Sequence, residues 1–337
     1  MKPTVSIILC TRNRANHLRP TIESILAADT SSLGKWELWI VDNGSNDETR
    51  AIVEAFAAAH PAIHYLFEPN PGKCRAQNSA LERTSGDIIV LTDDDVRVPR
   101  NWLPELIKPI VDGGADAVAG GVILPPAVAY AVHCSIARPY RGWFAASDYL
   151  DPVNPANMIG ANMAFHRRVL ESVTGFDCEL GPGALGFFDE VLFSRQLMAA
   201  NFRIAGALDT TVAHHFDLTR LEESTLYSTA HRMGRSHAYI FYHWDHQHMS
   251  YPRGRMMLLR LMLVGTHIAR FLGILSLGSA GSERLRLYSR LGFVEEYLRQ
   301  RSRKPNYPRR ANGYPASTDP MQTDNEKCPN QALHSNS

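Results

Sequence analysis

Three consecutive aspartates, Asp93, Asp94 and Asp95, are the residues of this chain whose types and spacing are best suited to chemistry. They follow residues 88–91, four apolar residues that are typical of a buried strand, with only Thr92 in between. Adjacent carboxylates repel one another, so a fold gains nothing from them unless a cation or hydrogen-bond donors offset the charge. Oxygen-rich sites at strand ends suit Mg²⁺ or Mn²⁺, which bind through one or two carboxylates plus substrate phosphates. A solvated aspartate-rich turn is the alternative interpretation, and the triplet taken alone favours it.

Polar residues also follow two other predicted strands, and this favours a ligand site over a solvated turn. Residues 5–9 are followed by the polar run 10–14, and residues 36–41 by the run 42–45. Strands that alternate with helices indicate a parallel sheet, whose ligands bind beyond the carboxyl ends of the strands. The pattern therefore predicts a ligand site at that edge. No GxGxxG motif follows the first strand, which argues against a dinucleotide-binding oxidoreductase.

These residues must be positioned by an ordered series of elements. Further strands are predicted over residues 63–67 and 212–215, and a loop-rich insertion over the site is predicted at about 125–155. The predicted helices cover residues 21–28, 45–56, 75–83, 167–173, 222–248 and 255–277, and the second opens with a capping box, Ser45-x-x-Glu48. Beyond Pro305 the chain is rich in Pro, Asn and Ser without periodicity, which predicts disorder.

Composition places the chain among ordinary globular proteins. Its 337 residues are 45% hydrophobic and 20% charged, with a formal net charge of +1, so nothing favours nucleic acid as a partner. The five cysteines are scattered without a CxxC pair, which is typical of reduced thiols in the cytoplasm. A strand begins almost at once at the N-terminus and leaves no room for a signal peptide, so a cytoplasmic location is expected.

A set of short motifs in a fixed order resembles the family 2 glycosyltransferases of the GT-A fold. The matching pieces are VSIILCTRNR at residues 5–14, WIVDNGSND at 39–47, GKCRAQN at 72–78, DDD at 93–95, GANM at 160–163, GFD at 175–177, DE at 189–190, and His214. Each piece alone is a weak signal, whereas the ordered set is specific. The resemblance covers residues 3 to 220 and implies a Rossmann-like, mostly parallel sheet with helices on both faces. A helical C-terminal segment follows.

The resemblance implies a nucleotide-sugar site at the sheet edge. Asp42 is expected to accept a hydrogen bond from uracil, and such a bond discriminates between bases by about 1–3 kcal/mol. Cys10, Thr11 and Arg14 are expected to line the same pocket. Arg75 is expected to approach the base or ribose, although a solvated helical arginine is the alternative.

The aspartate triplet matches the DxD motif of this family, which implies a Mg²⁺ or Mn²⁺ cofactor. Asp95 is expected to bind the cation, and Asp93 or Asp94 the ribose. The cation would bridge the diphosphate and stabilise charge on the departing nucleotide. His214 matches the place where some GT-A enzymes supply another metal ligand, with His215 as the second choice. A histidine satisfied within the fold is the alternative, because hard oxygen sites do not require imidazole.

The family places a Glu-Asp pair, with the Asp as catalytic base, at the start of a helix in the second half of the domain. Here the order is inverted to Asp189-Glu190, so either carboxylate is a candidate for the base that activates the acceptor hydroxyl. Acids at a helix N-terminus that only complement the dipole are the alternative. Gly160 and Asn162 are expected to bring the backbone close to the donor sugar or acceptor, and residues 175–177 to form a structural turn.

The C-terminal part is strongly basic. Residues 251–310 contain thirteen Arg or Lys against three acids, a net charge of +10, so the rest of the chain carries −9. The apolar residues 256–277, interrupted by Arg260, His267 and Arg270, fit an interfacial helix on anionic lipid better than a membrane span. A helix packed on the catalytic domain is the alternative. Histidines at 231, 237, 243, 246 and 248 fit no standard zinc site.

These features predict three regions and one function. Residues 1–220 form the catalytic domain, 221–304 a helical basic segment, and 305–337 a disordered tail. The expected function is metal-dependent, inverting transfer of a sugar from a UDP-sugar to a hydroxyl of a glycan or polyprenyl-linked acceptor in bacterial polysaccharide synthesis. Residues 253–304 would contact the cytoplasmic face of the inner membrane. The alternatives are a sugar-phosphate nucleotidyltransferase, for which the loop at 10–14 lacks glycines, and a non-catalytic nucleotide- or glycan-binding scaffold.

Overall fold

The fold is built around one mixed β-sheet of eight strands. The computed structural model describes residues 2–272 and 277–309, with the side chains of 277–280 outside the description. The strands are β1 (Thr4–Thr11), β2 (Lys35–Asp42), β3 (Ile63–Phe67), β4 (Ile88–Asp93), β5 (Val96–Arg97), β6 (Ala117–Ile123), β7 (Asn162–His166) and β8 (Ile204–His214). Their spatial order is β3-β2-β1-β4-β7-β6-β8-β5. The predicted strands at residues 5–9, 36–41, 63–67 and 88–91 are thereby confirmed.

The sheet is mostly parallel, as expected. Strands β3, β2, β1 and β4 are paired in parallel, as are β6 and β8. Strand β7 runs antiparallel to both of its neighbours, and β5 runs antiparallel to β8. The carboxyl ends of the parallel strands consequently open at one edge, where a ligand site is expected in such sheets.

Nine helices cover the described part of the chain, apart from short 3-10 turns. They are α1 (Ala15–Leu26), α2 (Thr49–Ala59), α3 (Lys73–Leu81), α4 (Trp102–Val111), α5 (Pro126–Cys134), α6 (Asp189–Ala199), α7 (Glu223–His243), α8 (Pro252–Phe271) and α9 (Leu277–Gln300). The long helix α9 was not predicted separately. The predicted helix at 167–173 is a 3-10 turn, Arg167–Glu171.

Two predicted helix starts were wrong. Helix α1 begins at Ala15 and contains Pro20, because the fixed φ of proline is compatible with a helix once one backbone hydrogen bond is given up. Helix α2 begins at Thr49, so Ser45 does not cap it; the Ser45 hydroxyl instead accepts a hydrogen bond from the Asn13 N–H at 2.9 Å. Asp47 takes the capping role, because its Oδ1 accepts from the Thr49 N–H at 3.1 Å.

The insertion at 125–155 is more regular than predicted. It contains α5 and a 3-10 segment, Arg138–Phe144, in addition to loops. Tyr140, Trp143 and Phe144 are buried in a cluster with Phe216 and Leu226. The insertion is therefore anchored by aromatic packing beside the end of β8, which brings its backbone to the sheet edge.

The C-terminal helices form a layer of their own. Gly234 of α7 and Gly292 of α9 allow these two helices to lie almost backbone to backbone, since a Cβ at Gly234 would meet the Ser289 carbonyl oxygen at 1.8 Å. Helix α8 packs on α9 through Leu259 and Leu263. In the described ranges no helix has the length and apolar character needed to cross a membrane. The predicted disorder beyond residue 305 lies mostly outside the described residues.

Candidate active site

The carboxyl ends of β1, β4 and β8 bring the predicted site residues together. In the register of the sheet Thr11 pairs with Asp42, and Cys10 pairs with Asp93. Strand β8 ends at His214, opposite Val96, directly after the aspartate triplet. The predicted ligand edge therefore contains residues as far apart in sequence as Cys10 and His214.

Cations and hydroxyls offset the charge of the triplet. The Arg14 guanidinium contacts the Asp95 carboxylate and lies 3.6 Å from Asp94 Oδ1, and the Lys73 ammonium contacts Asp93. The Thr11 hydroxyl donates to Asp94 Oδ2 at 2.7 Å. Burial and the neighbouring charge of Asp95 nevertheless raise the pKa of Asp94 to about 6. The triplet is thus a strained concentration of charge rather than a solvated turn.

His214 is held in one orientation against Asp95. Its Nδ1 lies 2.8 Å from the backbone oxygen of Phe144, and because a carbonyl only accepts, Nδ1 carries the proton. The other nitrogen, Nε2, lies 3.1 Å from Asp95 Oδ1. Burial opposes ionisation of Asp95, but its hydrogen bond with His214 and the nearby positive charges outweigh burial and lower its pKa.

This arrangement fits a divalent cation. Because Nδ1 donates to the backbone, Nε2 is the ring nitrogen that faces Asp95; it donates to this carboxylate when it carries a proton, and a divalent cation held by both side chains would take the place of that proton. Histidine ligands commonly donate their other N–H to a backbone carbonyl. Within the described residues no group of three or more His, Cys, Asp or Glu side chains is arranged around a common point. A pair of protein ligands is nonetheless enough for an ion that is also bound to phosphates.

His215 occupies a different position from His214. Its backbone N–H donates to the carbonyl oxygen of Asp95 at 2.7 Å, which fixes the strand end. Burial lowers the pKa of His215, and the charge of Arg97 adds to this effect. Of the two histidines, His214 is the one whose ring faces the triplet.

The two candidate bases begin helix α6. Phe188, with a φ of 71°, turns the chain into the helix, and Asp189 and Glu190 form its first turn. Asp189 is buried, and a Cβ at Gly181 would lie 3.0 Å from its carboxyl group, so only glycine fits the loop there. Burial and the adjacent charge of Asp189 raise the pKa of Glu190 well above its usual range. Perturbed carboxyls of this kind are typical of acid–base chemistry.

Lys73 connects the triplet with the candidate bases, and sequence reasoning assigned it no role. Its ammonium contacts Asp93. Burial opposes its charge, but the negative charges of Asp93 and Asp189 outweigh burial and raise its pKa. A Cβ at Gly160 would lie 3.5 Å from Lys73 Nζ, so Gly160 borders the same space. The signal was its place in the GKCRAQN motif, directly after a glycine that begins a helix.

Asp42 lies at the end of β2 and is buried. Its Oδ1 accepts from the Ser45 N–H at 2.8 Å and its Oδ2 from the Tyr65 hydroxyl at 2.9 Å. Its carboxylate is therefore fixed in place by these two donors. Cys10 precedes Thr11 on β1, and burial raises the pKa of its thiol to about 12, which keeps the thiol neutral.

Two predicted site residues, Asn162 and Arg75, differ in burial. Asn162 is fully buried inside the sheet: its amide donates to the carbonyl oxygens of Gly121 and Thr210, both at 2.8 Å, and accepts from Trp102 Nε1 at 2.9 Å. These bonds use both of its N–H groups and its oxygen, so its observed role is to hold strands together. Arg75 lies on α3 with its side chain exposed.

Arg220 is a further site residue that the sequence did not single out. It lies in the 3-10 turn Leu218–Leu221 after β8, and its guanidinium stacks 5.0 Å from the ring centre of Phe216. Burial lowers its pKa, whereas the charge of Asp95 acts in the opposite direction. Arg220 thus adds positive charge beside the triplet.

Comparison with known proteins identifies the family. The family described as glycosyl transferase family 2 matches residues 6–174. A glucosyl-dolichyl phosphate glucuronosyltransferase of Haloferax volcanii is 27% identical over 186 residues, which cover 52% of this chain and 57% of that protein. A putative teichuronic acid biosynthesis glycosyltransferase, TuaG, of Bacillus subtilis is 36% identical over 108 residues, covering 32% of this chain and 42% of TuaG. The chain thus matches less than two thirds of the length of these relatives.

A solved structure shows the fold. The mannosyltransferase PcManGT from Pyrobaculum calidifontis, in complex with GDP-Man and Mn²⁺, superposes with a TM-score of 0.58 at 18% identity. The match covers 89% of this chain and 88% of that one. The expected GT-A fold is thereby confirmed.

Proposed function

The chain belongs to glycosyl transferase family 2, and we propose that it is a metal-dependent, inverting enzyme that transfers a sugar from a nucleotide diphosphate. The observation that carries the proposal is that Lys73 interacts both with Asp93 of the triplet and with the acids of α6, while Asp95 of the same triplet faces His214. The positive charge that would stabilise a leaving diphosphate is thus close to the candidate bases.

The proposed donor is a UDP-sugar. The fixed carboxylate of Asp42 is suited to accept from a base N–H, with Thr11 and Arg14 on the adjacent strand end and Arg75 reaching the base or ribose from α3. Asp93 or Asp94 would hold the ribose. Because PcManGT is described with GDP-Man, a GDP-sugar is the direct competitor.

The proposed reaction is a single displacement. Glu190 or Asp189 removes the proton of the acceptor hydroxyl, whose oxygen attacks the anomeric carbon from the face opposite the nucleotide. The bond from that carbon to the diphosphate oxygen breaks, and the configuration inverts. Lys73, Arg14 and Arg220 stabilise the negative charge that develops on the leaving group.

Asp95 and His214 are the residues that would hold Mg²⁺ or Mn²⁺. A bound cation would neutralise charge on the departing nucleoside diphosphate. Lys73 and Arg14 currently contact the carboxylates of the triplet, so they would have to turn toward the phosphates when donor and cation bind.

The proposed acceptor is the hydroxyl of a glycan or of a lipid-linked glycan. The name of the Haloferax relative includes a dolichyl phosphate sugar, and that of TuaG refers to a polysaccharide. The basic segment 253–304 would bring the enzyme to an anionic membrane surface, at the cytoplasmic face.

A donor screen tests the proposal. Purified protein is incubated with UDP- and GDP-sugars, with Mn²⁺ or with EDTA, and nucleotide release is measured. We expect release from a UDP-sugar that depends on the metal and is lost in the double variant Asp189→Asn, Glu190→Gln. Unchanged turnover in that variant would remove the catalytic assignment of these two acids, and a wild type that turns over no donor would leave a binding scaffold. A preference for GDP would refute the role of Asp42.

A further inference from the structure

Helix α8 carries an apolar surface that the described residues leave uncovered. Of the sixteen large hydrophobic side chains that are exposed in the described residues, eight lie within residues 257–272. They are Met257, Leu258, Leu261, Met262, Val264, Ile268, Phe271 and Leu272, with exposed fractions between 42% and 90%. We call this surface the α8 stripe. Scattered exposed hydrophobics need no explanation, whereas a concentration of this size marks an interaction surface.

The stripe lies opposite the face that packs on the protein. At about 100° per residue, Met257, Leu261 and Ile268 lie within a narrow arc, on the far side of the helix from Leu259 and Leu263. Those two leucines are buried against Leu287, Leu291 and Val294 of α9. Packing and lipid contact, which the sequence left as alternatives, are therefore compatible because they use opposite faces.

Positive charges flank the stripe. Arg253 and Arg260 lie along one border and Arg255 along the other, as expected for an amphipathic helix that lies flat at a lipid headgroup layer. Arg260 also pairs with Glu295 at 2.9 Å, whereas Arg253 and Arg255 have no carboxylate partner within the described residues. Both are exposed.

We propose that the α8 stripe docks on an anionic phospholipid bilayer, with the apolar residues in the acyl boundary and the arginines among the headgroups. A second copy of the chain would bring like charges together along the stripe, so it is a poorer occupant. A bilayer with acidic headgroups matches both the apolar centre and the basic borders.

The far end of the stripe reaches toward the active site. Phe271 is the most exposed residue of the stripe. Its neighbour Arg270 pairs with Glu223 at 2.9 Å. Glu223 begins α7 directly after the 3-10 turn that contains Arg220, whose charge interacts with Asp95. A docked bilayer would thus lie near the sheet edge, so a lipid-linked acceptor could reach the active site. This statement about the acceptor rests on the proposed function, whereas the docking itself does not.

Vesicle binding of the full chain tests the inference. Co-sedimentation is measured with pure phosphatidylcholine vesicles and with vesicles containing roughly one phosphatidylglycerol in four lipids. We expect binding to the anionic vesicles only. The double variant Leu261→Glu, Ile268→Glu should weaken vesicle binding at least about tenfold. The double variant Arg253→Glu, Arg255→Glu should weaken it by a similar factor, because each arginine contributes roughly fivefold or more. Tyr130→Glu, at a residue 71% exposed on α5, is the matched control and should bind as the wild type does.

Several results would overturn the inference. The first is that the wild type does not bind the vesicles, and the second is that it binds neutral and anionic vesicles equally. The third is that the stripe variant binds as strongly as the wild type. A wild-type dimer that the stripe variant converts to a monomer, seen by light scattering, would assign the stripe to a second copy. Donor hydrolysis in vesicle-free buffer should be the same in all these variants, so failure of lipid docking remains distinguishable from failure of the proposed reaction.

Discussion

His214 Nε2 lies 3.1 Å from Asp95 Oδ1, while the other ring nitrogen of His214 is bound to the backbone of Phe144 at 2.8 Å. The two side chains are 119 residues apart in sequence and meet because β8 ends beside β5, the short strand that directly follows the triplet. The carbonyl accepts from Nδ1, so Nε2 is the ring nitrogen that faces Asp95 and would bind a cation there.

Replacement of His214 should weaken metal binding specifically. We expect His214→Ala to raise the Mn²⁺ concentration needed for half-maximal donor hydrolysis by about 10- to 100-fold, because one of two protein ligands is lost. Calorimetric titration of Mn²⁺ in the presence of UDP checks this. His215→Ala is the comparison, and it should change the titration little, since the described contact of His215 to the triplet is made by its backbone. Equal effects of both variants would contradict the assignment.

Loss of Lys73 should weaken donor binding and also raise the pKa of Glu190. Lys73→Met removes the ammonium beside Asp93, and we expect the KM for the donor to rise about tenfold or more because a phosphate partner is missing. The positive charge of Lys73 also lowers the pKa of Glu190, so its removal should move the acidic limb of the pH–rate profile to higher pH. The surface variant Lys108→Met, on α4, serves as control. A changed KM without any change in the pH profile would separate Lys73 from the base.

The pH dependence of catalysis distinguishes the two acids of α6. Burial and Asp189 raise the pKa of Glu190, and a raised pKa means that the carboxyl is protonated, and inactive as a base, over a wider acidic range. If Glu190 is the base, kcat/KM should fall as pH falls through this raised pKa. Asp189→Asn should then keep most of the activity and shift the limb to lower pH, because the neighbouring negative charge is gone.

The alternative, in which Asp189 is the base, predicts the opposite ranking of the two variants. If Asp189 is the base, Asp189→Asn should lower kcat by about 10²–10⁴-fold, and Glu190→Gln should be the milder change. Measured pH–rate profiles of both single variants and of the wild type decide between the two carboxylates.

The sequence predicted the sheet edge better than the contacts within it. Apolar runs followed by polar residues located β1, β2 and β4, because alternation of strands and helices leaves few topologies. The capping role predicted for Ser45 was wrong, and the strand-joining bonds of the Asn162 side chain were not predicted, for a common reason. Short polar side chains bond to whatever backbone lies nearby, and that backbone, at Asn13 or Thr210, comes from a distant part of the chain. Lys73 was overlooked because its partners, Asp93 and the acids of α6, are joined only by the tertiary fold.

Asn162 supplies the last prediction, which concerns stability. Asn162→Ala would leave the Trp102 N–H and the carbonyls of Gly121 and Thr210 without partners in a fully buried position, so we expect unfolding free energy to fall by about 3 kcal/mol or more. Urea denaturation measures this change. Asn154→Ala, at an exposed position, should stay within about 0.5 kcal/mol of the wild type.

The same variant tests the earlier expectation that Asn162 contacts the donor or acceptor. A residue that only joins strands should leave the donor KM of the folded fraction nearly unchanged when it is replaced. A variant of normal stability with a strongly raised KM would instead place Asn162 in the substrate site. Gly120 offers an independent check, because a Cβ at this position would lie 2.3 Å from the Asn162 side-chain nitrogen, so Gly120→Ala should reproduce the loss of stability.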